Sequence, residues 1–327
     1  MQGMTLRGCG PVFLNDVKEA DMQDRKFAGI FPYLVSPVDE DGTVREEVLR
    51  ALVDHLIDFG VHGLVPLGST GEFFYLDWEQ RKRIVEIVLD ETAGRVPVIP
   101  GVASGSVNDA VHQVEYYNSL HVDGILSVLN VYFPLGQNGI YTYFKAVAEA
   151  SESPVVLYNN PKFTGFEIEN ETLLRLSELP MVQYYKDASA NTGRLFELSN
   201  KLHGRMGIFS ASAHVPVFVM MMGGSGWMAG PACVIPKQSV ALYELCRDKK
   251  WDEAMALQRK LWGINSIFQK YGLAACIKGA LTLQGFDVGE PVAPTKRLTP
   301  EGWEEIGKVL KEMKEIEESL ENGTCKE

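Results

Sequence analysis

Residues 29–67 read GIFPYLVSPVDEDGTVREEVLRALVDHLIDFGVHGLVPL, and this stretch holds one whole unit of the pattern that decides the fold. Gly29–Val35 is an apolar run of strand length. Val48, Leu49, Leu52, Val53, Leu56 and Ile57 then recur at helical spacing, with polar residues on the opposite face. Gly63–Leu67 is a second apolar run. Further along, Ile84, Val85, Ile87 and Val88 mark another helical face. Strand-length runs continue at Val96–Gly101, Gly124–Val128, Val155–Tyr158, Val182–Lys186, Met206–Ser210 and Gly226–Ala229. Near-continuous apolar strands that alternate with amphipathic helices imply a parallel sheet covered on its faces. Eight such units in about 220 residues predict an α/β fold of the (β/α)8 TIM barrel type rather than an open doubly wound sheet.

Beyond the eighth run the pattern is helical only, near 236–247, 251–270, 273–284 and 300–320. The last segment shows Ile306, Val309, Leu310, Met313, Ile316 and Leu320. The expected organisation is an N-terminal extension over 1–26, a catalytic barrel over 27–235 and a C-terminal helical subdomain over 236–327.

The chain has 327 residues, 46% of them hydrophobic, and a formal net charge of -12. That charge offers no footprint for nucleic acid or an anionic membrane. The five cysteines contain no Cys-x-x-Cys pair and the six histidines are scattered, so neither a disulfide framework nor a metal site is expected. No signal-like or membrane-spanning apolar stretch occurs, and the cytoplasm is the expected compartment.

In a barrel the chemistry sits at the C-terminal ends of the strands. The second run ends in Gly68-Ser69-Thr70-Gly71-Glu72, a turn whose N–H and O–H donors suit a carboxylate. It reads equally well as a turn capping the next helix. The fifth run ends at Tyr158, which suits proton transfer or donation to an oxyanion, or simple ring packing. The sixth closes on Lys186-Asp187. Burial disfavours an ammonium, frees a neutral amine and makes it a nucleophile towards a ketone. Alternatively, Lys186 pairs with Asp187 or reaches solvent. Gly223-Gly224-Ser225-Gly226 reads as close backbone packing rather than a phosphate site. An amine, a phenol and a carboxylate cradle on one rim are what an enamine-forming lyase needs.

These motifs resemble the dihydrodipicolinate synthase / N-acetylneuraminate lyase family of pyruvate-dependent class I aldolases. The likeness runs from about Phe27 to Leu320. It rests on Gly68-Ser69-Thr70-Gly71-Glu72, on Tyr158-Asn159-Asn160-Pro161-Lys162-Phe163-Thr164-Gly165 and on Lys186-Asp187-Ala188-Ser189. The resemblance implies that Lys186 forms the Schiff base and that Tyr158 shuttles protons. It implies that Thr70, with the Ser69–Thr70 backbone, holds the pyruvate carboxylate, and that the Met228 carbonyl lines the pocket. Ser69 and Tyr132 would relay protons to Tyr158. The second tyrosine is lent by a neighbouring subunit in the family, hence a homodimer or homotetramer. The implied substrates are a pyruvate-type 2-oxo acid and an aldehyde, with no cofactor.

Two departures from the family pattern bear on the second substrate, and a third lies before Tyr132. Phe163, with Lys162 beside it, stands where dihydrodipicolinate synthases carry a carboxylate-binding arginine, and Leu129-Asn130-Val131 precedes Tyr132 where a Pro-Tyr pair is common. Ser210-Ala211-Ser212-Ala213-His214 lacks the acids that hold sugar hydroxyls in relatives. The expected partner is therefore an uncharged, less hydroxylated or aromatic aldehyde, with Phe163 and Ala211 on its side of the site. The alternatives are a true 4-hydroxy-tetrahydrodipicolinate synthase, a 2-oxo-3-deoxy sugar acid aldolase or dehydratase, and a non-catalytic metabolite sensor. From the lysine alone, a pyridoxal phosphate enzyme is also conceivable.

Overall fold

The computed structural model describes residues 26–189, 191–211 and 213–321. The extension expected over 1–26 lies outside them except for Lys26, as do Cys9, Ser212 and Cys325. Seven parallel strands form one sheet: β1 Gly29–Pro32, β2 Gly101–Ser104, β3 Ile125–Leu129, β4 Val155–Asn159, β5 Val182–Asp187, β6 Gly207–Ser210 and β7 Gly226–Ala229. Their order is β1-β7-β6-β5-β4-β3-β2. Residues 63–67 join the two edges: Tyr33 bridges Val65 and Leu64 bridges Val98, both parallel. The sheet is thus curled, α/β and TIM-barrel-like.

Two expected strands differ from what forms. Residues 63–67 make isolated bridges rather than a regular strand, and Val96–Gly101 gives way to a ladder that begins at Gly101. The reason is proline. Pro66, Pro97 and Pro100 have no N–H to donate, so a regular ladder cannot run through them. The backbone groups that remain still pair: Ile99 N–H donates to Leu64 O at 2.9 Å and Gly101 N–H to Pro66 O at 3.0 Å.

The helices follow their apolar faces. Glu46–Asp58 buries Leu49, Leu52, Val53 and Leu56. Trp78–Thr92 buries Ile84, Val85, Ile87 and Val88, and starts from a capping box in which Asp77 and Gln80 bond each other's backbone N–H. After β7 the described chain is helical: Pro231–Val234, Pro236–Arg247, Trp251–Lys260, Trp262–Tyr271, Leu273–Leu283 and Pro300–Glu321. The segment read as 251–270 is two helices meeting at Leu261. Of the last helix's apolar face, Ile306 and Met313 are fully buried. Among the described residues no helix is long and apolar enough to cross a membrane.

The glycine run before β7 does pack backbone on backbone. A Cβ on Gly226 would stand 2.0 Å from Gly29 O, and Gly29 N–H donates to Ser225 O at 2.8 Å. The register of β4 against β5 positions the chemistry. Val155 pairs with Val182, but Val156 pairs with Tyr184, so a bulge at the strand entrance absorbs one residue. From there Tyr158 lies opposite Lys186 and Asn159 opposite Asp187.

Candidate active site

Side chains alternate across a strand, and here alternation divides two motifs into two layers. Tyr158 and Lys186 face into the curled sheet. Asn159 and Asp187 face out towards the helices. The Asp187 carboxylate accepts from Tyr185 Oη at 2.8 Å, Asn159 Nδ2 at 3.1 Å and Ser189 Oγ at 2.6 Å, and lies 3.5 Å from Arg194 Nη1. It is fully occupied, which removes the reading of Lys186 as its ion-pair partner.

Lys186 is only 2% exposed. Its Nζ lies 3.7 Å from the centre of the Tyr33 ring and 3.8 Å from that of Tyr158. No carboxylate among the described residues pairs with it. Towards the β1 end the interior is aromatic: Phe31 meets Phe209 at 5.5 Å, Phe209 meets Tyr184 at 5.8 Å and Tyr184 meets Phe27 at 5.0 Å between ring centres. Burial pushes the Lys186 amine well below the usual lysine value.

The Tyr158 phenol accepts from Asn160 Nδ2 at 2.7 Å, and the Ser69 side chain stands beside it. Burial raises its pKa, and these two neighbours pull the other way. Thr70 is fully buried in the short turn Ser69–Gly71, and its hydroxyl has no hydrogen-bond partner among the described residues. The Tyr33 hydroxyl is also buried and without a partner among them. Gly230, just after β7, lies behind Thr70; a Cβ there would reach Thr70 Oγ1 at 2.5 Å. Met228 is buried on β7, opposite Phe31.

A cleft of about 520 Å³ opens in front of Tyr158. Its walls include Ser69, Phe73, Phe74, Tyr75, Val128, Asn160, Lys162, Phe163 and Thr295, and Lys162 is its single cationic lining residue. Phe163 is therefore at the site, 61% exposed. Ala211 is not among the lining residues. It sits at the end of β6, where its N–H donates to Asp187 O at 2.9 Å. Tyr132 is not brought to Tyr158 within this chain: it is 91% exposed and packs edge-on against Phe133 at 4.9 Å.

Sequence reasoning missed three contributors. Tyr33 was one aromatic in an apolar run, and only its place on the rim beside Lys186 marks it. Asn160 lay inside a quoted motif without a role. Phe73, Phe74 and Tyr75 follow Glu72 directly, and three aromatics in a loop are a signal that could have been read.

The sequence matches the Dihydrodipicolinate synthetase family over residues 26–313. It is 31% identical to 4-hydroxy-tetrahydrodipicolinate synthase of Synechococcus sp., over 90% of this chain and 96% of that protein. It is 32% identical to the enzyme of the same name from Pelobacter propionicus, over 82% of this chain and 93% of that one. The fold superposes on 4-hydroxy-tetrahydrodipicolinate synthase of Methylacidiphilum fumariolicum with a TM-score of 0.87, at 26% identity, over 90% of this chain and 98% of that one. Sequence, fold and rim geometry thus agree, and the chain belongs to the dihydrodipicolinate synthetase family and is a lyase.

Proposed function

We propose that this chain is a Schiff-base lyase that condenses or cleaves a pyruvate-type 2-oxo acid and an aldehyde through an imine on Lys186. The observation that carries the reading is a buried amine with no counter-ion among the described residues, set between two tyrosine rings. Burial without a counter-charge favours the neutral amine, and a neutral amine adds to a ketone carbonyl. Loss of water from the adduct gives the imine, and Tyr158 takes up a methyl proton to give the enamine. The enamine carbon attacks the aldehyde, whose oxygen takes a proton from Tyr158. Water then hydrolyses the imine and frees Lys186; cleavage runs these steps in reverse.

The unpartnered hydroxyls of Thr70 and Tyr33 support a polar guest beside Lys186, because buried polar groups are normally satisfied. In this reading Thr70 and the Ser69–Thr70 backbone bind the carboxylate, and the Met228 carbonyl lines the pocket. Ser69 connects Tyr158 to Tyr132 of a neighbouring subunit. Exposed Tyr132 and Phe133 support that partnership, as a homodimer or homotetramer. The reading takes 27–235 as the catalytic barrel, 236–327 as a C-terminal helical subdomain, and the cytoplasm as the working compartment.

For the second substrate, Phe73, Phe74, Tyr75 and Phe163 support an uncharged or aromatic aldehyde. Lys162 and the names of the relatives favour a second reading, a true 4-hydroxy-tetrahydrodipicolinate synthase. Two experiments test this. Pyruvate with borohydride should add one reduced adduct that maps to Lys186; labelling of another lysine refutes the mechanism. The kcat/KM for aspartate semialdehyde should fall below that for the best neutral aldehyde. A semialdehyde preference above about tenfold, roughly 1.4 kcal/mol of transition-state binding, establishes the second reading instead.

A further inference from the structure

The turn that presents Ser69 and Thr70 is held from three sides. Ser36 Oγ donates to Gly71 O at 2.6 Å. Gly230 and Ile277 close in behind Thr70. The third hold is Glu72, which ends the turn with left-handed backbone at φ 52°, a conformation that disfavours a residue with a Cβ.

The Glu72 side chain makes up for that conformation through its contacts. Oε2 lies 2.8 Å from Lys278 Nζ, with the two side chains 2% and 1% exposed. Oε1 accepts from Val292 N–H at 2.9 Å, and Lys278 Nζ donates to Glu290 O at 2.9 Å. Lys278 belongs to the helix Leu273–Leu283, directly after Ile277. Ala274 of that helix and Thr295, three residues beyond Val292, line the same cleft as Ser69. One buried ion pair therefore ties the turn to the helix and to segment 290–295, so two walls of the cleft share one fastening. Burial pushes the Glu72 carboxyl up and the Lys278 ammonium down, and each partner opposes that shift in the other.

We infer that Glu72 and Lys278 are positioning residues that keep the Ser69–Thr70 carboxylate site preformed for the 2-oxo acid. This rests on the Schiff-base reading above. Preorganised donors bind without first paying to be ordered. Losing the fastening should therefore weaken 2-oxo acid binding more than it slows the chemistry at Lys186.

The test is the double variant Glu72→Gln/Lys278→Met, which removes both charges at similar volume. Replacing a whole buried pair by neutral groups is commonly tolerated by a fold. The readout is the pyruvate concentration that half-saturates borohydride trapping of Lys186, with KM and kcat alongside. The expected result is a rise in half-saturation and KM of about tenfold or more, with kcat at saturation within about threefold of wild type. Met313→Ala, in the distant helix Pro300–Glu321, serves as a destabilised control and should keep the wild-type half-saturation. A folded double variant with wild-type half-saturation, or an equal rise in the Met313→Ala control, overturns the inference alone. Failure of the wild-type chain to trap pyruvate overturns the inference together with the Schiff-base reading.

Discussion

Lys186 at the end of β5 and Lys278 in the helix Leu273–Leu283 are buried to the same degree, 2% and 1% exposed. Their surroundings differ in one respect. Lys278 has Glu72 at 2.8 Å, whereas Lys186 has the faces of Tyr33 and Tyr158. In both places burial pushes the amine down; at Lys278 a carboxylate opposes it, and at Lys186 no charge among the described residues does. Burial alone does not make a nucleophile. A buried lysine becomes reactive where its neighbours withhold a counter-charge, and becomes structural where they supply one.

The comparison can be broken most forcefully at Lys186. Lys186→Ala should lower kcat by roughly 10⁴-fold or more, the scale seen when a covalent nucleophile is lost; steady-state turnover with pyruvate and an aldehyde checks this, and an active variant dissolves the contrast. Tyr158→Phe should keep the fold and slow turnover by roughly 10²–10⁴, the usual worth of a general acid–base group. Circular dichroism confirms the fold and single-turnover kinetics measure the loss.

The contrast in stability should run the opposite way. Lys278→Met leaves Glu72 buried without its partner and should cost about 3–5 kcal/mol in urea unfolding. Lys186→Met strands no carboxylate and should be neutral or stabilising. Equal losses would mean that the two sites differ less than their neighbours imply.

The smallest effect concerns pH. The folded Lys186 pKa lies below the unfolded value of 10.5. Between the two values the unfolded chain binds the extra proton, so stability rises with pH across that window. One proton sets a slope of up to about 1.4 kcal/mol per pH unit. Lys186→Met should remove that slope from the wild-type profile. It is best read below about pH 9, where the Tyr33 and Tyr158 phenols are largely protonated in both states.

Much of this was legible in the sequence because it depends on local pattern. The helix faces at Leu49–Leu56 and Ile84–Val88 follow from spacing, and Lys186 stands out as a charge at the end of an apolar strand. What stayed hidden depends on contacts between distant segments. Tyr33 is about 150 residues from Lys186 in sequence, and nothing local distinguishes it from a core tyrosine. The Glu72–Lys278 pair spans more than 200 residues, and the two charges look like ordinary surface residues until the fold buries them. The second and third apolar runs do not become full strands because Pro66, Pro97 and Pro100 lack the N–H groups a regular ladder needs.

The bulge between Val155 and Val156 carries a consequence for how such a centre can evolve. It takes up one residue of β5, and that single residue sets which side chain stands opposite Tyr158. Straighten the bulge with the sequence unchanged, and the pairing parity inverts: Asn159 would stand opposite Lys186, and the amine would turn towards the helix layer that now receives Asp187. Loop substitutions at Phe163 or Phe74 can drift one at a time and retune the aldehyde gradually. A shift of register along β5 is all-or-none, because frames that keep the amine inside are separated by two residues. Mutational tolerance should therefore be graded around the cleft mouth and abrupt along β5.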